Sequence, residues 1–263
     1  MSKVKEIHAD SWLELKELLT DDYSHRYGYV FRGQGSSAWS LNSSLTRLAL
    51  KNAVRLSADK IEAIQIARYR MAIRGLRGAN PQALNDEELL CLGQHFGLAT
   101  PLLDWTRSPY IAAFFAFESS ERSETGKRAV WMLNRFSLER QFGKSSIISF
   151  VEPLQDDNNR IVAQAGLFTR VPTGFSLEDA LRQCGGLDCL TKFTVDEDER
   201  LSALNDLNLM NIGFSRIYPD LAGAAMDCNM WVEVMSENKK ETESLVRLMK
   251  ELELLPAKNG DSY

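Results

Sequence analysis

The stretch Gly93–Glu118, GQHFGLATPLLDWTRSPYIAAFFAFE, places a dense group of polar residues directly before an almost wholly apolar helix. The polar group falls within fifteen positions and consists of Gln94, His95, Thr100, Asp104, Trp105, Thr106 and Ser108. Polar groups that open a buried helix need partners, because an unpaired buried donor or acceptor costs roughly 1–3 kcal/mol. The stretch therefore predicts either a structural hydrogen-bond network or a functional site.

A second informative segment lies upstream, at YVFRGQG, Tyr29–Gly35. Residues 27–32 are aromatic and β-branched, which predicts a buried strand that ends at Gly33-Gln34-Gly35. Before it, residues 8–21 have the apolar spacing of an amphipathic helix with a cap at Asp10 or Ser11. After it, Ser43 and Ser44 precede a helical region that we expect to run to about residue 76.

The rest of the chain alternates short strands with helices. We expect strands at 129–133, at 146–151, within 160–170 and at 192–195. We expect a helix that starts at about 85–87, a short helix between Ser176 and Gly185, and helices at 196–208 and 241–255. Strands scattered among helices predict a single α+β domain over residues 1–263. Its core would span about 25–225, and the C-terminal helix, about 241–255, would pack on the body.

Composition excludes several classes of protein. The sequence has no run of ~18 apolar residues, so we expect no membrane span and no membrane partner. The first ten residues lack the apolar stretch of a secretory signal, which favours a cytoplasmic location. The four cysteines form no CxxC pair, and there are only three histidines. We therefore expect no metal site.

The charge of the chain is unevenly distributed. The net charge is -5, yet residues 47–77 hold eight basic side chains opposed only by Asp59 and Glu62. The basic residues are Arg47, Lys51, Arg55, Lys60, Arg68, Arg70, Arg74 and Arg77. This region, Arg47–Arg77, is either a solvated helical face or a surface for an anionic partner such as nucleic acid.

Four ordered blocks of the sequence resemble the FRG domain family, named for the tripeptide found here at Phe31-Arg32-Gly33. The first block continues through Trp39-Ser40-Leu41 and Ser43–Arg47. The second, QHFGLATPLLDWT at 94–106, is similar to the family's QHYGLPTRLLDWT. RIVAQAGLF at 160–168 and YPDL at 218–221 resemble a third and a fourth block. Asn42, Ala99 and Pro101 depart from the family pattern.

The same blocks resemble, more distantly, the ADP-ribosyltransferase fold. That resemblance implies a split, mostly antiparallel sheet flanked by helices. It aligns Arg32 with the arginine on the fold's first strand and residues 105–108 with its Ser-Thr-Ser strand. Gln164 falls where the best-known enzymes have glutamate. The pocket for NAD, as a substrate, would then be lined by Arg32, Gly33, Gln34, Trp105, Thr106 and Ser108.

Transfer of ADP-ribose passes through an oxocarbenium-like state and needs three kinds of group. Arg32 could hold the pyrophosphate in a bidentate fork, and Thr106 and Ser108 could hold the nicotinamide ribose. Gln164 could hydrogen-bond the ribose, but its neutral amide cannot accept a proton as a carboxylate does. Asp104, as a carboxylate in an apolar segment, and His95 are alternative sources of a base.

Each of these residues also has a structural interpretation. Arg32 could pair with Asp104 as a buried bridge, and Asp104 could instead cap the helix that begins near Ser108 or Pro109. Thr106 and Ser108 are natural cap residues, and Trp105 suits a core. His95 could be a satisfied core histidine, and Gln164 could satisfy backbone groups of its strand.

Three functions remain open from the sequence. The first is an NAD-dependent ADP-ribosyltransferase-like enzyme that modifies a nucleic acid or protein, as a toxin or phage-defence effector with a neutralising protein partner. The second is a non-catalytic module that binds a nucleotide or nucleic acid in the same cleft, which Gln164 in place of glutamate favours. The third is a nuclease or phosphotransfer enzyme that uses His95 and Asp104.

Overall fold

The computed structural model describes residues 3–20, 28–143, 147–152, 166–237 and 239–251. The chain divides into two compact units, Met1–Ile212 and Gly213–Tyr263. The expectation of one domain with the C-terminal helix packed on the body stays a prediction.

The first unit contains a sheet and most of the helices. Its strands are β1 (Lys5–Ala9), β2 (Tyr29–Gln34), β3 (Leu102–Thr106), β4 (Lys127–Asn134), β5 (Ser149–Val151), β6 (Gly166–Arg170) and β7 (Leu190–Asp196). Its helices are α1 (Trp12–Thr20), α2 (Ser44–Lys51), α3 (Ala58–Ala72), α4 (Asp86–His95), α5 (Pro109–Phe117), α6 (Arg135–Phe142), α7 (Leu177–Cys184) and α8 (Arg200–Leu209). Short 3-10 turns flank β7 at Leu187–Cys189 and Glu197–Glu199.

Within the described residues the strands form a seven-stranded sheet in the order β1-β7-β4-β2-β3-β6-β5. The pair β1–β7 is parallel, and the other neighbours are antiparallel. The predicted α+β class with a mostly antiparallel sheet and flanking helices is confirmed.

The pairing between neighbouring strands is shortest between β2 and β3. These strands pair at a single position, Phe31 with Thr106, whereas β2 pairs with β4 along its whole length. Continued in the same register, the ladder would place Gly33 opposite Asp104, but no such pair forms. The main-chain groups of β3 near Asp104 therefore lack the β2 partners that a full ladder would supply.

Helix α5 lies directly on β2 and β4. A Cβ atom built on Gly33 would lie 1.9 Å from the Ala112 carbonyl oxygen and 2.5 Å from the Ala116 nitrogen. Only a residue without a side chain allows the strand and the helix to approach this closely. Gly33 therefore faces α5, and side-chain alternation turns Val30, Arg32 and Gln34 to the opposite face of the sheet.

The described core of this unit includes two apolar clusters. The larger one joins residues of β2, β3, β4, β6 and β7 to α6 and α7, and includes Val30, Trp105, Trp131 and Leu181. The smaller one joins α4 to β3, β5 and β6 through Leu90, Cys91, Leu102, Val151 and Phe168, with Ile66 of α3 against it. Helices α3 and α4 therefore cover the β3–β6–β5 end of the sheet.

Several predicted helix starts are confirmed by their caps. Ser43 accepts a hydrogen bond from the Thr46 amide, Asn85 forms a capping box with Glu88, and Ser176 accepts from the Asp179 amide. The helical region expected from Ser44 to about residue 76 consists of two helices, α2 and α3. The alternative in which Asp104 caps the following helix is wrong, because Asp104 lies within β3, and the cap of α5 is Ser108.

The second unit, described by itself, is helical. It contains α9 (Phe214–Ile217), α10 (Leu221–Glu237) and α11 (Lys239–Glu251). The predicted C-terminal helix is present but begins at Lys239, and the expected stretch beyond Glu251 lies outside the described residues. Among the helices that the structure describes, none has the length and apolar character needed to cross a bilayer.

Candidate functional site

The side chains of the tripeptide Phe31-Arg32-Gly33 lie on alternate faces of β2. Phe31 is 1% exposed and belongs to the core, and Gly33 is required for the close approach of α5. Neither residue offers a group to a ligand. Of the three, only Arg32 has a side chain with polar atoms, and it is 19% exposed.

The Arg32 guanidinium bridges the place where the β2–β3 ladder stops. Its Nη1 donates to the Asp104 carbonyl oxygen at 2.8 Å and lies 3.4 Å from Asp104 Oδ2. The side chain thus replaces a missing ladder bond and also forms an ion pair. The Arg32–Asp104 contact that the sequence left as one alternative is therefore present.

A short polar chain continues from Asp104 into the helix and loop before β3. Gln94 Nε2, near the end of α4, donates to Asp104 Oδ1 at 2.5 Å, and the buried Thr100 hydroxyl donates to Gln94 Oε1. Gln94 therefore has both ends of its amide engaged. Gln94, Thr100 and Asp104, three members of the polar group in the stretch 93–118, therefore form one hydrogen-bond network.

The positive charge of Arg32 is only partly compensated. Its Nε is buried and finds no hydrogen-bond partner within the described part of the chain. Burial, as the largest cause, lowers the pKa of Arg32; the Asp104 charge raises this pKa, and the charge of Arg47 lowers it again. An arginine nevertheless stays protonated near neutral pH. The site is therefore suited to an additional anion.

Arg47 is the second cation of the site. It lies on α2, is exposed, and its Nη1 donates to the Asn42 carbonyl oxygen at 2.6 Å. Its positive charge is one of the causes that lower the pKa of Arg32. Among the described residues, the Asp104 carboxylate, whose side chain is 59% exposed, is the one acidic group paired with Arg32.

The hydroxyl groups expected to hold the ribose already form hydrogen bonds within the local structure. Thr106 is 2% exposed and its Oγ1 accepts from the Ser108 amide at 3.1 Å. Ser108 Oγ accepts from the Ile111 amide at 3.3 Å as the N-cap of α5. Trp105 Nε1 donates to Thr169 Oγ1 at 2.9 Å within the core. These groups hold the end of β3 and the start of α5 in place.

Gln34 fastens the loop that follows β2. Its side chain is buried; Oε1 accepts from Trp131 Nε1 at 2.7 Å, and Nε2 donates to the Ser40 carbonyl oxygen at 3.4 Å. Lys192 Nζ holds the same loop through the Ser37 carbonyl oxygen at 2.7 Å. Both contacts position the loop that leads to α2 and Arg47.

Two candidates remain, His95 and Gln164. His95 ends α4, and its ring makes an edge contact with Phe96 at a centroid distance of 4.7 Å. Its neighbour Gln94, one step round the helix, makes the Asp104 contact instead. Gln164 lies outside the described residues. Among the residues that are described, no cluster of histidine, cysteine, aspartate or glutamate could hold a metal ion.

Sequence reasoning gave no site role to three residues that the structure brings to Arg32 and Asp104: Arg47, Gln94 and Thr100. Gln94 and Thr100 were recognised as polar members of one segment, and Arg47 as part of a basic region. Their sequence separations from Arg32 and Asp104 gave no distance information. The ordered blocks that contain them were the available signal.

Comparison with protein families supports the resemblance drawn from the first two blocks. Residues 27–125 match the family model of the FRG domain. The matched segment contains Arg32, Arg47, Gln94 and Asp104, so it spans the whole network. Neither the curated proteins nor the solved structures gave a match to this chain.

Proposed function

We propose that the junction of β2 and β3 binds the phosphate groups of a nucleotide, and that this nucleotide is NAD. The observation that carries the proposal is the partly compensated guanidinium of Arg32. Its Nε is buried and has no hydrogen-bond partner among the described residues, and its ion pair with Asp104 is long at 3.4 Å. Charge-assisted hydrogen bonds of this kind are about 2.7–2.9 Å when well formed.

A phosphate group would satisfy Arg32 better than Asp104 does. Two phosphate oxygens can accept from two guanidinium nitrogens at once, whereas the described contacts to Asp104 use Nη1 alone. Asp104 would not be left unpaired, since Gln94 already donates to its other oxygen. Arg47 would add a second positive charge to a pyrophosphate.

Arg32→Ala should weaken NAD binding by about tenfold to a hundredfold, the equivalent of losing charge-assisted hydrogen bonds worth roughly 1.5–3 kcal/mol. The NAD affinity of Arg32→Lys should lie between those of the original protein and Arg32→Ala, because lysine keeps the positive charge but cannot form two parallel hydrogen bonds. Isothermal titration calorimetry with NAD measures these affinities. Unfolding by urea should show only a modest change in stability for both variants.

Arg122→Ala is the matched control, because Arg122 lies in the same family segment and its side chain is 90% exposed. This variant should bind NAD as the original protein does. NAD affinity that is unchanged in Arg32→Ala would overturn the proposal. An Arg32→Ala protein that does not fold would show that the Arg32–Asp104 contact is a structural bridge. The NAD affinity of Arg32→Lys would then test the phosphate contact, and an unchanged affinity would overturn it.

The exposed Asp104 carboxylate favours a second step, transfer of ADP-ribose. In this reaction the bond between ribose C1′ and the nicotinamide nitrogen breaks, and nicotinamide leaves with the bonding electron pair. An acceptor hydroxyl or amine on a nucleic acid or protein then bonds to C1′ and gives up its proton. A carboxylate near C1′ would stabilise the positive charge of the transition state and accept that proton.

Asp104→Asn separates binding from this chemistry. The asparagine removes the negative charge that competes for Arg32, so NAD affinity should stay equal or rise by a few-fold. Release of nicotinamide should fall by at least about a hundredfold, as expected for loss of a general base. Liquid chromatography of NAD incubated with the protein and cell lysate measures this release. If the original protein binds NAD but releases no nicotinamide, the transfer step is wrong and the protein is a nucleotide-binding module.

A further inference from the structure

The Asp104 carboxylate has a different kind of partner on each of its oxygens. Oδ2 lies 3.4 Å from Nη1 of Arg32, a distance at which a charge-assisted hydrogen bond is weak. Oδ1 accepts from Gln94 Nε2 at 2.5 Å. The shorter contact is the one to a neutral amide, so Gln94 rather than Arg32 fixes the direction of the carboxylate.

Thr100 determines which end of the Gln94 amide faces Asp104. A glutamine amide has an oxygen acceptor at one end and an NH2 donor at the other, and either end can be turned toward a neighbour. An ionised carboxylate only accepts hydrogen bonds, and the buried Thr100 hydroxyl donates its proton to Gln94 Oε1. The hydroxyl and the carboxylate together hold the amide in one orientation, with its donor toward Asp104.

Thr100 is in turn held by the start of α2 and the start of β3. Its amide donates to Ser44 Oγ at 2.9 Å, and its carbonyl oxygen accepts from the same hydroxyl at 3.2 Å. Its Oγ1 also accepts from the Leu102 amide at 3.3 Å. The hydrogen bonds that lead through Thr100 and Gln94 to Asp104 therefore join α2, α4 and β3, and these elements support Gln94 from behind.

The two contacts of the carboxylate would respond differently to a bound phosphate. Under the proposed function, phosphate oxygens accept from the Arg32 guanidinium and draw it away from Oδ2. The carboxylate then loses the positive charge that compensates it, and Gln94, as a neutral amide, cannot replace that charge. The hydrogen bond from Gln94 keeps the carboxylate in place and leaves its negative charge available to a positive charge that develops nearby.

We propose that Gln94 is a positioning residue for Asp104 in the transfer of ADP-ribose, with Thr100 fixing its amide; this inference rests on the proposed function. When the nucleotide engages Arg32, Oδ1 of Asp104 stays bound to Gln94 and Oδ2 is directed at ribose C1′. The bond from C1′ to the nicotinamide nitrogen breaks, and nicotinamide leaves with the electron pair. The acceptor oxygen or nitrogen bonds to C1′, and its proton passes to Oδ2. Gln94 acts through Asp104 and does not contact NAD.

Gln94→Met tests this proposal, because methionine has a similar length and no hydrogen-bond donor. Its NAD affinity, measured by titration calorimetry, should stay within about twofold of that of the original protein, because the lost contact acts on the reaction and not on binding. Its kcat for nicotinamide release should fall by about tenfold to a hundredfold, as expected for one hydrogen bond to a charged group. Gln94→Glu keeps the shape and the acceptor for Thr100 but has no donor when ionised, so at about pH 8 its kcat should fall at least as far.

Gln65→Met is the matched control. Gln65 Nε2 donates to the Ala99 carbonyl oxygen at 3.2 Å, so it holds the same loop before β3 through a contact that does not include Asp104. Its kcat and NAD affinity should match those of the original protein. Thr100→Val should lower kcat by about threefold to tenfold, and the double variant Gln94→Met/Thr100→Val should lower it no further than Gln94→Met alone, because Thr100 acts through Gln94.

The outcomes separate this inference from the proposed function. If the original protein binds and cleaves NAD but kcat is unchanged in Gln94→Met, or is lowered equally in Gln65→Met, the inference is wrong and the proposed function stands. A kcat in Gln94→Glu that equals that of the original protein would also overturn it, because Gln94 would then serve only as an acceptor for Thr100. Should Gln94→Met not fold in a urea titration, Gln94→Glu decides. Absence of NAD binding in the original protein would overturn both proposals, and binding without nicotinamide release would overturn the transfer step and this inference but leave the NAD site.

Discussion

Gly33→Ala should destabilise the first unit by at least about 3 kcal/mol, at the upper end of the cost of overpacking a core. The added methyl carbon would lie 1.9 Å from the Ala112 carbonyl oxygen and 2.9 Å from the Phe115 carbonyl carbon. These are backbone atoms of α5, so no side-chain rotation relieves the clash. Strand β2 and helix α5 would have to separate.

The loss should be visible as a lower midpoint of urea unfolding followed by circular dichroism. Folded proteins are stable by only about 5–15 kcal/mol, so this change is a large part of the total. Gly35→Ala is a matched control two residues away on the same chain segment. The nearest atoms to its added carbon lie at 3.8 Å, an ordinary contact. Equal destabilisation by both variants would contradict the assigned packing role of Gly33.

Glu62→Ala should cost about 3 kcal/mol, because it removes the acceptor of three hydrogen bonds at once. Arg170 Nη2 donates to Glu62 Oε2 at 2.7 Å, and the Thr173 amide and hydroxyl donate to Oε1 at 3.0 and 2.8 Å. Glu62 is 7% exposed. Its loss leaves the Thr173 donors buried without a partner and detaches α3 from the end of β6.

Chemical denaturation compares this variant with two others. Glu62→Gln keeps an oxygen for Thr173 and loses the ion pair, so it should cost about half as much. Asp59→Asn changes an exposed carboxylate on the same helix and should shift the free energy of unfolding by no more than about 0.5 kcal/mol. A Glu62→Ala protein as stable as Asp59→Asn would show that the three contacts contribute little.

Many secondary-structure elements could be predicted from the sequence, because their signals are local. Ser43, Asn85 and Ser176 cap the helices that they were expected to begin. Strand β2 follows from its aromatic and β-branched residues. The break between α2 and α3 was missed, because residues 52–57, which separate the two helices, contain no proline or glycine. Strand β1 was missed because three of its five residues are polar, so the sequence shows no apolar strand pattern there.

The candidate site was predicted only in part. The importance of Arg32 and Asp104 follows from the blocks that contain them, and their contact was one of the alternatives. The hydrogen bond from Arg32 to the main chain of β3 depends on where the β2–β3 ladder stops. The sequences of the two strands do not predict this position. The engagement of Gln94 with Asp104 likewise depends on how α4 lies against β3.

Helix caps, strand patterns and the charge balance are properties of residues a few positions apart, so the amino-acid order alone specifies them here. The partners of Arg32 and the need for glycine at position 33 are settled by the arrangement of elements distant in sequence. The physical reason is that a side chain's partner is chosen by which strand or helix packs beside it, and strand order is a collective result of burying the whole core.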